Sequence, residues 1–460
     1  MRPDLSLRPD RSARLAFWLL AVFLVVLWFA GGASRADVAG QVVCRLFAWG
    51  ILIIYAVWGQ ALDWRPLRPL FIIFGLTLAA VASQLIALPP AVWSALPGHQ
   101  MLLEAAEVTG QQQPWRPLSI APSATANALA SLVVPGAVLI LCANLSRRQH
   151  WALAYIVLGL VLAGSLVALV QISGVHYANP LINHVPGSVS GNFANRNHFA
   201  LFVAAGCMLA AVVGAMREGI NRLIALGTLL LIPMFALVVL AVGSRAGLVL
   251  AVIAVATGLA IGRANLRHWL RALPRAAAVA LTATALAGVV GIIGAAILLD
   301  RAESVDRALD LEASSDLRRE ALPYVIEAAQ LYFPTGAGYG TFDQAYRIVE
   351  PDTLLRLTYF NHAHNDWLET VLLGGFVGLL LLAAVLTYFA FALRRLWQNR
   401  QDSSDLAKIG AGILLLFMVA SIFDYPARTP MGMTLVMLSA VWLQRGWNGF
   451  ATRAGASGRA

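Results

Sequence analysis

Charge is scarce in this chain. Asp, Glu, Lys and Arg make up 12% of the residues while hydrophobic side chains make up 59%, against about a quarter charged in a typical soluble domain. So few charges exclude an ordinary water-soluble fold. Cysteine is nearly missing too: Cys44, Cys142 and Cys207 lie in or beside apolar runs and lack metal-ligand spacing. They are expected to be small buried hydrophobes, and neither a disulfide framework nor a thiolate metal site is suggested. No Walker loop and no dinucleotide fingerprint occurs, so no nucleotide cofactor is expected. No Asp-x-Asp pair or carboxylate cluster suggests a metal, and no basic stripe with interleaved aromatics suggests nucleic acid. Histidine is rare as well, with 8 in 460 residues.

What the chain does have is length of apolar sequence. Runs of 17 or more residues recur from end to end, each able to cross a hydrocarbon core of roughly 30 Å. The expected fold is an all-α integral membrane protein with about twelve transmembrane helices, near 15–31, 40–60, 69–88, 123–143, 151–172, 198–216, 222–243, 246–262, 276–299, 367–393, 407–424 and 429–445. Short alternating strands are missing, which excludes a β-barrel. The first run has no convincing cleavage site and reads as a retained helix. Basic residues fall on alternate loops: Arg2, Arg8, Arg11 and Arg14 in the tail, then Arg65/Arg68, Arg147/Arg148, Arg217/Arg222, Arg263 to Arg275, Arg394 to Lys408, and Arg445 onward. By the positive-inside rule both termini are then cytoplasmic. The expected organisation is a tail (1–14), helices one to nine (15–299), a partly helical external loop or cap (300–366), helices ten to twelve (367–445) and a second tail (446–460).

Chemistry-bearing residues gather on the external side. Loop 89–122 ends in Trp115-Arg116-Pro117-Leu118-Ser119, and loop 173–197 in Gly191-Asn192-Phe193-Ala194-Asn195-Arg196-Asn197-His198. A tight turn holds Gly243-Ser244-Arg245, and a last turn holds Asp424-Tyr425-Pro426-Ala427-Arg428. In the long loop, Leu317, Ala321, Tyr324, Ala328 and Leu331 recur at helical spacing before a break at Pro334 and the glycines Gly336, Gly338 and Gly340. That run is either a tight turn or a close approach to a ligand. The densest cluster is His362-Ala363-His364-Asn365-Asp366-Trp367-Leu368-Glu369 at the mouth of an apolar helix. Ionisable groups near a bilayer are costly and mark a site. Each of these residues also has a plainer reading: arginines that snorkel to headgroups, asparagines that form turns, histidines at the interface. Arg45, inside the second run, pairs with Asp37 or touches lipid and is given no role.

These motifs, in this order and on one side, resemble the O-antigen ligase/polymerase superfamily. Arg196 in its asparagine-rich segment, Arg245 in Ser-Arg-Ala-Gly, Asp316-Leu317-Arg318, the Pro334 glycine run and the His364-Asn365…Gly375-x-x-Gly378 pattern carry the resemblance over roughly 110–430. It implies a membrane glycosyltransferase that moves a glycan from undecaprenyl diphosphate to an acceptor hydroxyl, at the periplasmic face of a bacterial inner membrane, without metal or cofactor. The partners implied are that lipid-linked donor, a lipid A–core acceptor and membrane lipids. His364 is then the general base of one inverting displacement, with His362, Asn365, Asp366 and Glu369 around it. Arg196, Arg245 and Arg318, or Arg319 in its place, hold the diphosphate. Asn192, Asn195, Asn197, His198 and the glycines Gly336, Gly338 and Gly340 contact the glycan or shape the loops. The same superfamily contains polymerases and protein O-oligosaccharyltransferases, and a lipid-linked glycan transporter is the alternative without covalent chemistry.

Overall fold

The computed structural model describes residues 11–175, 177, 179–185, 187–215, 222–272, 275–276, 291, 294, 308–355, 360–398 and 404–447. The ninth expected span, 276–299, and both expected tails lie almost wholly outside them. The fold is helical with almost no strand. Its helices are α1 (Arg11–Ala30), α2 (Ala39–Trp58), α3 (Arg68–Ser83), α4 (Pro90–Ser94), α5 (Gln100–Val108), α6 (Pro122–Ser131), α7 (Val133–Cys142), α8 (Arg147–Ile172), α9 (Arg196–Gly214), α10 (Arg222–Val242), α11 (Arg245–Ala272), α12 (Ala308–Tyr332), α13 (Phe342–Arg347), α14 (Asp366–Gln398), α15 (Asp405–Ala420) and α16 (Pro430–Trp447). One antiparallel pair, Ala87–Leu88 with Arg116–Pro117, closes the loop that holds α4 and α5.

Seven stretches are long and apolar enough to cross a membrane: Ala39–Trp58, Arg65–Ser83, Pro122–Cys142, Arg147–Ile172, Arg196–Gly214, Arg245–Arg263 and Asp366–Gln398. Among the described residues this is fewer than the twelve expected. Arg14–Ala30 and Gly227–Val242 are apolar but shorter, α15 has 16 residues, and α16 carries Gln444 and Arg445 near its end. The expected spans that the structure describes are nonetheless helical, with 123–143 divided into α6 and α7.

α9 is the centre of the bundle. All residues from His198 to Gly214 are buried, and α8, α10, α11 and α15 pack around it. Small residues permit the close approach, as is usual where helices meet within a membrane. A Cβ on Gly247 or Gly258 of α11 would collide with Ala200 or Ala211 of α9, and one on Gly262 with Ala215 just after it. Asn195 caps α9, its Oδ1 accepting from the Asn197 amide at 2.8 Å.

The segment that carries α12 and α13 forms a second core with the start of α14. Ala321, Val325, Ala328, Tyr332, Phe342, Tyr346, Leu372 and Leu373 are buried together. The helix expected around 317–331 is present, and Ala321 and Ala328 are buried in this core with Leu317 and Tyr324 packed against it. Leu331 is 39% exposed, while Val325 and Tyr332 point inward, because the helix packs against α14 as well as its own loop. The glycine run after α12 locks onto a break in α14. Gly375 sits at φ 55°, ψ −138°. That break frees the carbonyls of Leu372 and Leu373, which accept from the amides of Ala337 and Gly338 at 3.0 Å. The Phe376 amide donates in return to the Pro334 carbonyl at 2.8 Å. Gln84 completes the joint, donating to the Leu373 carbonyl at 2.9 Å and accepting from the Tyr339 amide at 2.8 Å.

Gly375 therefore tolerates no side chain: a Cβ would meet the backbone of Pro334, Thr335 and Gly336. Gly375→Ala is expected to destabilise the protein by about 2 kcal/mol or more, whereas Gly50→Ala, in a helix with open space around it, should be neutral or stabilising by about 0.5–1 kcal/mol. Thermal unfolding of the purified variants in detergent measures both.

Candidate active site

The site lies where the N-termini of α9, α11 and α14 meet the turn between α15 and α16. Asp424 in that turn is 4% exposed, and a carboxylate so buried needs donors on both oxygens. It has them. Asn197 Nδ2 donates to Oδ2 at 2.8 Å and Asn195 Nδ2 at 3.1 Å. The Tyr425 amide and His364 Nδ1 donate to Oδ1 at 3.0 and 3.2 Å, and His198 Nε2 lies 3.5 Å from the same oxygen. Ser244, next to Arg245, donates to Asn197 Oδ1 at 2.9 Å. The asparagine-rich segment, the Ser-Arg turn and the turn between α15 and α16 thus meet at one charge.

His364 adopts φ 49°, the one positive value outside glycine among the described residues, a conformation open to His more than to most side chains. Its neighbours hold it there. Asn365 accepts from the Leu368 amide at 3.0 Å and so caps α14. The Ala363 amide donates to Glu369 Oε2 at 2.9 Å, and the Asp366 amide to the Ser421 carbonyl at 2.9 Å. With Asp424 accepting at Nδ1, the tautomer leaves Nε2 as the basic nitrogen. Burial holds the His364 imidazole below its ordinary range, although the Asp424 contact works in the opposite direction. Burial alone would raise the Asp424 carboxyl, but the His198 and His364 imidazoles outweigh it and hold it well below the usual range. A neutral imidazole beside a carboxylate at neutral pH results. The Tyr425 ring lies 4.2, 4.9 and 5.0 Å from the rings of His362, His364 and His198, and burial pushes its hydroxyl up to about 12, so it stays protonated.

The expected neighbours of His364 have different duties. Asp366 and Glu369 do not touch its ring. Asp366 accepts from Arg428 Nε at 2.7 Å and from Ser421 Oγ at 3.3 Å. Glu369, 0% exposed, lies 3.0 Å from His362 Nδ1 and 3.1 Å from Arg428 Nη1. Asp424 is the carboxylate that orients His364, because the turn bearing it folds over the start of α14.

Of the arginines, Arg318 is half-buried and lines a small cavity with Asn197, His198, Ala246, Asp424 and Pro426, and its charge reaches His364. Arg319 is exposed and does not line it. Arg196 and Arg245 open α9 and α11 beside Asn197 and Ser244. The cavity measures about 50 Å³, room for one or two waters and not for a diphosphate. The Asp316 side chain lies outside the described residues. Asn192 is not at the site: it is buried in its own loop and accepts from the Tyr177 hydroxyl at 2.6 Å. Gly336, Gly338 and Gly340 face Leu373, Ser119 and Ala124; they form the joint with α14 and not an open cradle. Arg45 donates to Asn127 at 2.6 Å and to Gln41 at 3.3 Å, while Asp37 pairs with Arg35. Among the described residues no three His, Cys, Asp or Glu side chains converge as a metal site would require.

Arg428, Tyr425 and the central place of Asp424 were not assigned from sequence. The signal was the compact Asp424-Tyr425-Pro426-Ala427-Arg428 turn, whose two charges lie next to an apolar run.

Residues 229–383 match the family model described as O-antigen ligase, which supports the O-antigen ligase superfamily for this chain. The matched stretch runs from α10 into α14 and includes Arg245, Arg318, the glycine run and His364. It points to a multi-pass membrane enzyme that transfers glycan. No curated protein matches the chain.

Asp424→Ala strips the acceptor from several buried donors and is expected to cost about 3 kcal/mol or more. Asp424→Asn keeps the shape and should cost clearly less. Comparison of the two thermal transitions in detergent decides whether the charge or the packing dominates.

Proposed function

We propose that this protein transfers a glycan from a polyprenyl diphosphate carrier, undecaprenyl diphosphate, to a hydroxyl of lipid A–core. The reaction runs at the periplasmic face of a bacterial inner membrane crossed by about twelve helices. The observation that carries this reading is the His364–Asp424 pair beside Arg318, within a chain of apolar helices that matches the O-antigen ligase family over 229–383.

The acceptor hydroxyl gives its proton to His364 Nε2 as its oxygen attacks the anomeric carbon. The bond from that carbon to the carrier diphosphate breaks, and the diphosphate leaves with the electron pair. One displacement inverts the anomeric configuration. The carrier diphosphate is already a good leaving group, so no nucleotide is consumed. Asp424 steadies the tautomer and the imidazolium that forms. Arg318, with Arg196 and Arg245, supplies fixed positive charge for the leaving group, a task that suits a planar, permanently charged guanidinium.

Purified protein with a polyprenyl-diphosphate glycan and lipid A–core should attach one glycan block to the core, and His364→Ala should abolish this without loss of folded protein. Arg318→Ala should raise donor KM and Arg319→Ala should leave it near wild type. Lengthening of the donor glycan without attachment to the core would mean a polymerase. Absence of product with both acceptors, while the lipid-linked glycan still crosses the bilayer, would mean transport.

The pH profile has a fixed sign. A base whose pKa is held down by burial stays active as the pH falls through 6.5, so the acidic limb of kcat/KM should have its midpoint below that value. Asp424→Asn removes the group that favours the imidazolium and should move the limb lower still, with a smaller kcat.

A further inference from the structure

Around His362 a second charged cluster stands beside the His364–Asp424 pair and plays no part in the reaction above. Arg428 lies at its centre. Its Nε donates to Asp366 Oδ1 at 2.7 Å, and its Nη1 lies 3.1 Å from Glu369 Oε1. Both carboxylates belong to the first turn of α14, whereas Arg428 ends the turn that begins at Asp424. Glu369 passes the connection on, taking His362 Nδ1 at 3.0 Å and the Ala363 amide at 2.9 Å. Asp366 adds its own backbone and side-chain contacts to Ser421. The segment 361–366 is therefore pinned on both sides of His364, and the pinning partner is rigidly linked to Asp424.

We propose that Arg428 is a positioning residue: by bridging Asp366 and Glu369 it holds the 362–366 segment against the 421–428 turn and so sets the His364–Asp424 contact on which base catalysis depends. The proposal rests on the transfer reaction described above. Three features favour this role over diphosphate binding. Asp366 and Glu369 take two different nitrogens of the guanidinium, Nε and Nη1, so its charge is neutralised within the protein. Burial would otherwise lower the Arg428 pKa, yet Glu369 and Asp366 raise it, so the charge is permanent. The residue is also absent from the cavity that Arg318 lines. A lysine cannot reproduce the contact, since a single ammonium cannot reach two carboxylates from two separated nitrogens.

The groups that face His364 are Asp424, His198, His362, Arg318 and Tyr425. If the clamp loosens, the ring leaves its buried position and its pKa returns towards the ordinary imidazole value. This is opposite to the shift expected for Asp424→Asn, so the two effects are separable.

The test uses the full chain in detergent with the polyprenyl-diphosphate glycan donor, comparing wild type, Arg428→Lys, Asp366→Asn, Arg318→Ala and His364→Ala. Arg428→Ala would leave two buried carboxylates uncompensated and is not the informative variant. Arg428→Lys and Asp366→Asn are expected to lower kcat about 10- to 100-fold, the scale of a misplaced catalytic group, to leave donor KM within about twofold, and to raise the acidic limb towards pH 6.5. An increase in donor KM with kcat preserved, as for Arg318→Ala, would overturn the proposal in favour of a donor ligand. Unchanged kcat and an unchanged limb in a folded Asp366→Asn protein would overturn it outright. Full transfer by His364→Ala would overturn the reaction itself and the clamp with it, whereas loss of transfer in His364→Ala together with wild-type behaviour of the Arg428 and Asp366 variants would overturn the clamp alone.

Discussion

The need to satisfy one buried carboxylate organises the candidate site of this protein. Asp424 is almost fully removed from solvent, and an unpaired charge there would cost several kcal/mol. Its two oxygens accept from Asn195, Asn197, His364 and its own turn, with His198 close by. Those donors come from segments more than 160 residues apart in sequence. Each is delivered by a helix N-terminus: α9 brings the asparagines and His198, and α14 brings His364. The constraint runs both ways. The carboxylate needs the donors, and the imidazole needs the carboxylate to fix which nitrogen is basic.

Charge in the site is divided between two clusters with different electrostatics. Around Asp424 a single carboxylate meets imidazoles and amides, and His364 is kept neutral by burial. Around Arg428 two carboxylates share one guanidinium, and His362 Nδ1 also faces Glu369. Only the first arrangement suits proton abstraction at neutral pH, where the base must be unprotonated yet able to stabilise its conjugate acid. Tyr425 stands between the two and packs against imidazoles of both. Beyond them, the joint between the glycine run and Gly375 fixes α12 against α14 and thereby places Arg318 within electrostatic reach of His364.

The helices were legible because long apolar runs leave a chain in lipid few alternatives. Their ends were less so. α14 is broken at Gly375, and nothing in an apolar run announces a break until the partner loop is known to supply amides to the freed carbonyls. The face of α12 was misjudged at Leu331 for a related reason: spacing gives the period, but Val325 and Tyr332 were turned inward by a helix distant in sequence. At the site, the His362–Glu369 cluster was conspicuous because charge is rare here. Its internal wiring was not. Asp366 and Glu369 are close to His364 in sequence, yet both are directed to Arg428, and the orienting carboxylate lies 60 residues downstream. Sequence proximity identified the location, and the tertiary packing of the turn between α15 and α16 determined the partners. Each of the three glycines faces protein backbone or a neighbouring side chain, a packing that their spacing in sequence does not announce.

The account rests on a single displacement with His364 as the base, since both carboxylates at the start of α14 are engaged by Arg428 and Asp424 is held by its donors. The most direct test is the anomeric configuration of the newly formed glycosidic bond, determined by NMR and compared with that of the carbon–phosphate bond in the donor. Inversion is the predicted result. Retention would require a covalent glycosyl intermediate on the protein, and would contradict the assignment of His364 as a base acting on the acceptor hydroxyl.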